Sequence, residues 1–172
     1  MTVELRALNE NDAEAFFEGL KLFSDMEPEW YSFAYRPGMS FTELLRIQDD
    51  EFHGRNLKPE RVPHSMLYAF VDGKIVGRSS IRHKLNDHLM KLGGNIGYAV
   101  ATPWRNKGIA TEILKLSLKY CRDVLKLDRV LVTCDEDNLG SVKTILKNGG
   151  VLENKILNEG KQTHTNRYWI KL

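Results

Sequence analysis

The chain has 172 residues, 42% of them hydrophobic and 28% charged, with a formal net charge of +2; this is the make-up of one ordinary soluble globular domain spanning 1–172. The basic residues are scattered and the net charge is small, which argues against nucleic acid as a partner. No apolar run approaches the ~18 residues of a membrane span, and the region of Glu4, Glu10, Asp12 and Glu14 lacks an apolar signal core, so no membrane and a cytoplasmic setting are expected.

In chain order, residues 3–8 read as a first strand. Asn9, Asn11 and Asp12 offer caps for a helix whose apolar stripe is Ala13, Phe16, Phe17, Leu20 and Phe23. Residues 25–40, with Pro28, Pro37 and Gly38 among aromatics, read as a loop. Ser40 and Glu43 form a capping-box pattern for a second helix with Phe41, Leu44, Leu45, Gln48 and Phe52 along one side. Residues 66–71 and 74–85 read as strands joined at Asp72-Gly73, a strong hairpin signal. Residues 86–94 connect to a strand over 95–100. Ile109, Ile113, Leu116, Tyr120 and Val124 predict an amphipathic helix over about 106–127. Residues 129–134 read as a buried strand, and Asp137 or Asn138 caps a helix through Lys147 that Gly149-Gly150 stops. Residues 151–157 and 163–172 form a closing antiparallel pair. The two cysteines, Cys121 and Cys134, accompany no paired motif and are expected as buried, reduced thiols. The order β-α-α-β-β-β-α-β-α-β-β gives an α/β fold with a mixed, mostly antiparallel sheet flanked by helices, including a parallel crossover around the long helix.

The most informative stretch is 96–111, which reads Ile-Gly-Tyr-Ala-Val-Ala-Thr-Pro-Trp-Arg-Asn-Lys-Gly-Ile-Ala-Thr. A strand runs through a proline-containing turn into a helix, exposing N–H groups beside Arg105 and Lys107. Physically this is a cradle for a pyrophosphate. The glycine spacings of a phosphate-binding loop or a dinucleotide fingerprint are absent. Val100, Arg105, Gly108 and Ala110 fill the pattern Arg/Gln-x-x-Gly-x-Gly/Ala after a strand ending in Val, and so the segment resembles motif A of the GNAT acetyltransferases. Asp137-Asn138-Leu139-Gly140-Ser141 resembles that family's Asn-x-x-Ala/Ser. The order of elements agrees over essentially the whole chain.

The resemblance implies the GNAT acyl-CoA N-acyltransferase fold, acetyl-CoA as cosubstrate, no metal, and direct acetyl transfer to a small-molecule or peptide amine. It implies that pantetheine lies along the backbone of Tyr98, Ala99 and Val100. The pyrophosphate lies on Asn106, Lys107, Gly108, Ile109, Ala110 and Thr111, with Arg105 adding charge. Asn138 contacts pantetheine with Ser141 close by, although a plain N-cap satisfies Asn138 equally well. On this reading Gly108→Val weakens CoA binding and leaves the fold intact. Asn106 stands where Gly is common, and Asn tolerates a left-handed backbone. Ile145 stands where the family carries its general-acid Tyr. Candidate bases are His83, His64, Tyr98, Glu153 and Asp135. His83 and Tyr98 are the catalytic expectation, since a His titrates near neutrality and His83 ends a strand expected to face the acceptor. A homodimer is compatible with the sequence. Two other readings stay open: a noncatalytic acyl-CoA-binding or sensing module, and an O-acyltransferase.

Overall fold

Asp72 and Gly73 take φ of 48° and 76°, the two left-handed residues of a tight hairpin turn whose twist matches its strands. They join β2 (His64–Val71) to β3 (Lys74–Arg82), and this hairpin is the centre of a four-stranded antiparallel sheet. β1 (Glu4–Arg6) flanks β2, and β4 (Ile96–Val100) flanks β3. A second antiparallel sheet has the order β5 (Arg129–Asp135), β7 (Thr163–Lys171), β6 (Val151–Asn158). The computed structural model describes residues 1–27 and 30–172; the loop proline at Pro28 lies outside the described residues.

Helices cover both faces of the first sheet. α1 (Ala13–Leu22) and α2 (Phe41–His53) pack on one face, where Phe16, Phe23, Tyr31 and Tyr68 are buried together. α3 (Ile109–Asp123) packs on the other, setting Ile113 and Leu114 against Val76 and Ile81. Each such side chain contributes about 1.5–3 kcal/mol by leaving water. α4 (Leu139–Lys147) lies against α3 and β5. Ser40 caps α2 as the capping pattern predicts, its Oγ accepting from Glu43 N at 3.1 Å.

Several expectations need correction. Asp12 stands at the start of α1 but does not cap it. Its carboxylate is held by Arg6 at 2.6 Å and 2.8 Å and by Asn9 N at 2.7 Å. The long helix begins at Ile109 rather than 106 because Asn106 and Gly108 are left-handed, and it ends at Asp123, leaving Val124 53% exposed. Within the connecting segment 86–94, residues 89–93 form a single wide helical turn. Cys121 is buried, whereas Cys134 is only partly so. The parallel pairing of β4 with β5 does not form a ladder, since the two strands belong to different sheets.

Candidate active site

β4 and β5 are the facing edges of the two sheets, joined at Asn95. Asn95 N donates to Leu131 O at 2.7 Å, and the Asn95 side-chain oxygen accepts from Leu131 N at 2.8 Å. The amide side chain thus stands in for the next peptide of a strand partner. Gly94 makes the approach possible. Its φ is +63°, and a Cβ there would lie 2.5 Å from Leu131 O. Past this joint no ladder links the two strands, and β4 presents backbone to the gap, where unpaired groups require partners.

A cavity of about 630 Å³ fills the gap on the side of α3 and α4. Tyr98, Ala99, Val100, Arg105, Asn106, Gly108, Ile109, Ala110, Thr111, Asn138 and Ser141 all line it. Lys107 does not; its ammonium lies 4.9 Å from the Trp104 ring centroid. Among the described residues, no backbone N–H from residue 106 to 111 donates a hydrogen bond. The flanking Arg105 N and Glu112 N are both paired, to Thr102 O at 3.2 Å and to Gly108 O at 3.1 Å. Gly108, at φ 79°, starts α3 without any side-chain cap. Unspent donors and the positive end of the helix dipole therefore meet on one wall of the cavity. Arg105 folds back, its Nε donating to Val100 O at 3.2 Å. Lys143 and Lys147 also line this cavity, one turn apart on α4. Their i, i+4 spacing after Asn138 was the readable signal for them.

A second cavity, of about 440 Å³, lies toward the loop after α1 and shares Trp30, Tyr98, Asn138 and Ser141 with the first. The two spaces therefore meet at these residues. Asn138 Oδ1 is spent as the N-cap of α4, accepting from Ser141 N at 3.0 Å, while its amide NH2 makes no bond among the described residues. The Tyr98 hydroxyl is buried close to Ser141 and Thr144 without completing a hydrogen bond. Burial pushes its pKa up to about 12, so it keeps its proton near neutral pH and is a donor, not a base.

His83 is not brought to either cavity. Its Nε2 lies 2.8 Å from Ser65 Oγ, which also contacts Tyr120 Oη at 3.0 Å, and its ring packs on Phe52. Ser65 and Tyr120 belong to the α3 side of the sheet, whereas Arg78 and Arg82 of β3, the strand that His83 follows, line the second cavity. Burial, with His64 nearby, lowers the His83 pKa. His64 is buried beside Glu51, and Glu153 is paired with Arg167 on the surface. Asp135 does reach the second cavity, where Lys161 Nζ binds it at 2.7 Å. Ile145 is wholly buried in the core among Ile81, Leu114 and Tyr168, so a side chain at that position faces packing rather than the gap. Trp30 lines both cavities and Trp104 the first, while Tyr31 is core, donating to Phe16 O at 2.8 Å.

A family model described as an acetyltransferase (GNAT) domain matches residues 2–151. The chain belongs to the GNAT family. Among curated proteins it is similar to the probable N-acetyltransferase YjcK of Bacillus subtilis, 29% identical over 150 residues, which is 86% of this chain and 80% of that protein. It is also similar to the L-amino acid N-acetyltransferase AaaT of Escherichia coli, 28% identical over 87 residues. That match spans 51% of this chain and about half, 53%, of the relative. Among solved structures, Mycobacterium smegmatis RimJ in complex with CoA-disulfide has the same fold, with a TM-score of 0.68 at 21% identity over 98% of this chain and 81% of that one. As a GNAT member the chain is an acyltransferase by family. No helix among the described residues is long and apolar enough to cross a membrane.

Proposed function

We propose that this GNAT protein is an acetyl-CoA-dependent N-acetyltransferase that passes the acetyl group directly to an amine. The observation that carries the reading is the run of N–H groups from residue 106 to 111, unspent among the described residues, of which all but Lys107 belong to residues lining the first cavity. Such a run suits a pyrophosphate, whose oxygens accept several charge-assisted bonds at once. The splayed edges of β4 and β5 suit an extended amide-bearing arm that completes the open backbone. Two cavities that share Tyr98, Asn138 and Ser141 suit two substrates approaching each other.

Transfer joins the amine nitrogen to the acetyl carbonyl carbon and breaks the carbon–sulfur bond. The nitrogen loses a proton, and the sulfur leaves as a thiolate that gains one. The chain's own residues orient the two partners, which supplies much of the rate advantage. Backbone N–H of β4 near Val100 is the donor for the developing oxyanion. The Tyr98 hydroxyl is the hydrogen-bond donor for the departing thiolate, taking over the office that Ile145 cannot fill. At a pKa of about 12 it stabilises the thiolate by donation and keeps its own proton.

Thermal unfolding with acetyl-CoA, followed by a thiol-release assay over a panel of amines and alcohols, tests the proposal. A ligand at 100 times its Kd adds about 2.7 kcal/mol, which for a domain of this size is a rise of roughly 5–10 °C. No shift at millimolar acetyl-CoA removes the donor assignment. A shift without release of thiol for any acceptor moves the sensing-module reading ahead, and release with alcohols alone makes the protein an O-acyltransferase.

A further inference from the structure

The second cavity carries a charge that no described residue on its walls answers. Arg78 is only 2% exposed, yet no carboxylate lies within 4.0 Å of it among the described residues. Its Nε donates to Trp30 O at 2.7 Å and its Nη1 to Gly97 O at 3.3 Å, which leaves the rest of the fork unused. Arg82, two pleat repeats further along the same face, makes no side-chain hydrogen bond or ion pair among the described residues. Both line the cavity. They converge on Gly97: a Cβ there would come within 3.1 Å of Arg82 Nη1 and 3.9 Å of Arg78 Nη1. The absence of a side chain at 97 is what leaves room for both.

Aromatic packing holds the pair in place. The Arg78 and Arg82 guanidinium carbons lie 5.0 Å and 5.9 Å from the Phe33 ring centroid, and that of Arg61 lies at 5.6 Å on the same ring. A ring face attracts a cation but accepts none of its in-plane donors. Burial, with a neighbouring arginine adding to it, lowers both pKa values to about 10, which still leaves both groups charged at neutral pH. The only acid on the cavity wall among the described residues, Asp135, is already matched by Lys161. A cation as buried as Arg78 is costly without a charged partner, and Arg82 beside it is only half-buried and open to a ligand.

We infer that the acceptor is an amine that also carries an oxyanion, a carboxylate or a phosphate, and that Arg82 and Arg78 bind that group in the second cavity. The inference rests on the reading of that cavity as the acceptor side. The planar forks of two guanidiniums match carboxylate and phosphate oxygens, and they repel di- and polyamines that lack an anion. The anion then anchors one end of the acceptor at Gly97 while its amine reaches toward Tyr98, Asn138 and Ser141, where the two cavities meet.

The test uses matched pairs of acceptors with the whole protein and acetyl-CoA. α-Amino acids are set against the amines left after decarboxylation, and phosphoethanolamine against ethanolamine, with spermidine as the cationic control. At least a tenfold higher kcat/KM for one class of anionic member is expected, and the two sets tell carboxylate from phosphate. Arg82→Gln collapses that preference through KM for the acceptor and leaves the Kd of acetyl-CoA unchanged; Arg82→Lys restores part of it. Equal or better use of the uncharged or cationic partners overturns the inference while the acetyltransferase reading stands. If acetyl-CoA binds but no acceptor reacts, calorimetric titration of the same anionic amines into the protein–CoA complex decides, and no binding by any of them overturns it. If acetyl-CoA itself does not bind, the acetyltransferase reading fails, and titration of those amines into the free protein decides the cavity in the same way.

Discussion

Substitution of Gly108 separates backbone strain from ligand exclusion, because the structure makes the two contributions independent. Gly108 has φ 79°, and a Cβ there would meet nothing within 4 Å. An alanine therefore suffers no clash, only the left-handed backbone, at about 1–2 kcal/mol. For a chain of this length that lowers Tm by roughly 2–8 °C. Valine costs more, since a branched Cβ is worse in that conformation, so Gly108→Val lowers stability together with affinity and does not separate the two. Asparagine is the informative variant. The neighbouring Asn106 already holds φ 60°, so Gly108→Asn should keep Tm close to that of the unaltered protein. Its side chain nevertheless enters the space beside the unspent N–H groups. Loss of one charge-assisted bond there is worth about 1.5–3 kcal/mol, or roughly tenfold to a hundredfold in Kd. Calorimetric titration against CoA and against pantetheine, which lacks the pyrophosphate, reads this directly. CoA should weaken by that factor and pantetheine should hardly change. Equal weakening of both, or no weakening of CoA in a fully folded Gly108→Asn protein, refutes the placement of the pyrophosphate at the start of α3.

Tyr98→Phe removes a buried hydroxyl that has no partner, so Tm should hold or rise while kcat falls by roughly tenfold to a hundredfold; a loss of both, or of neither, contradicts the donor role. His83 has a lowered pKa in the fold, so the unfolded chain binds the extra proton first and stability falls as pH drops below the ordinary value of about 6.5. His83→Gln should flatten that part of the pH–stability curve, measured by urea unfolding between pH 5 and 7.5, and an unchanged slope sinks the assignment. Ile145→Tyr overpacks a filled core and should cost about 1–3 kcal/mol without raising kcat; a tenfold gain in turnover would show that the side chain can reach the reacting sulfur.

The elements whose signals are local were legible. The Asp72-Gly73 turn, the Ser40 cap, the left-handed backbone at Asn106 and the open N–H groups from 106 to 111 each depend on residues within a few positions of one another. What failed depends on distant partners. The split into two sheets turns on the Asn95 side chain bonding Leu131 N, an interaction across 36 positions that resembles any polar residue before a strand. His83 was assigned to the cleft from its place at a strand end, but its contact with Ser65, on the far side of the hairpin, sets it outside both cavities. The arginine pair passed unnoticed because Arg78 and Arg82 look like ordinary surface residues of a strand until Phe33 and Gly97 are brought to them.

The order β5-β7-β6 has a consequence for how the molecule is made. β7 is synthesised after both of its neighbours yet lies between them, pairing with β5 from Arg129↔Lys171 to Asp135↔Thr165 and with β6 from Val151↔Trp169 to Asn158↔Thr163. A growing chain can close the first sheet and dock α1 to α3 on it while β5 and β6 still wait with open edges. One wall of the gap is therefore fixed only when β7 enters between β5 and β6. Until then the nascent protein displays two unpaired strand edges, one bearing the apolar run Val130, Leu131 and Val132. That interval is when it is most exposed to wrong strand pairing with other chains.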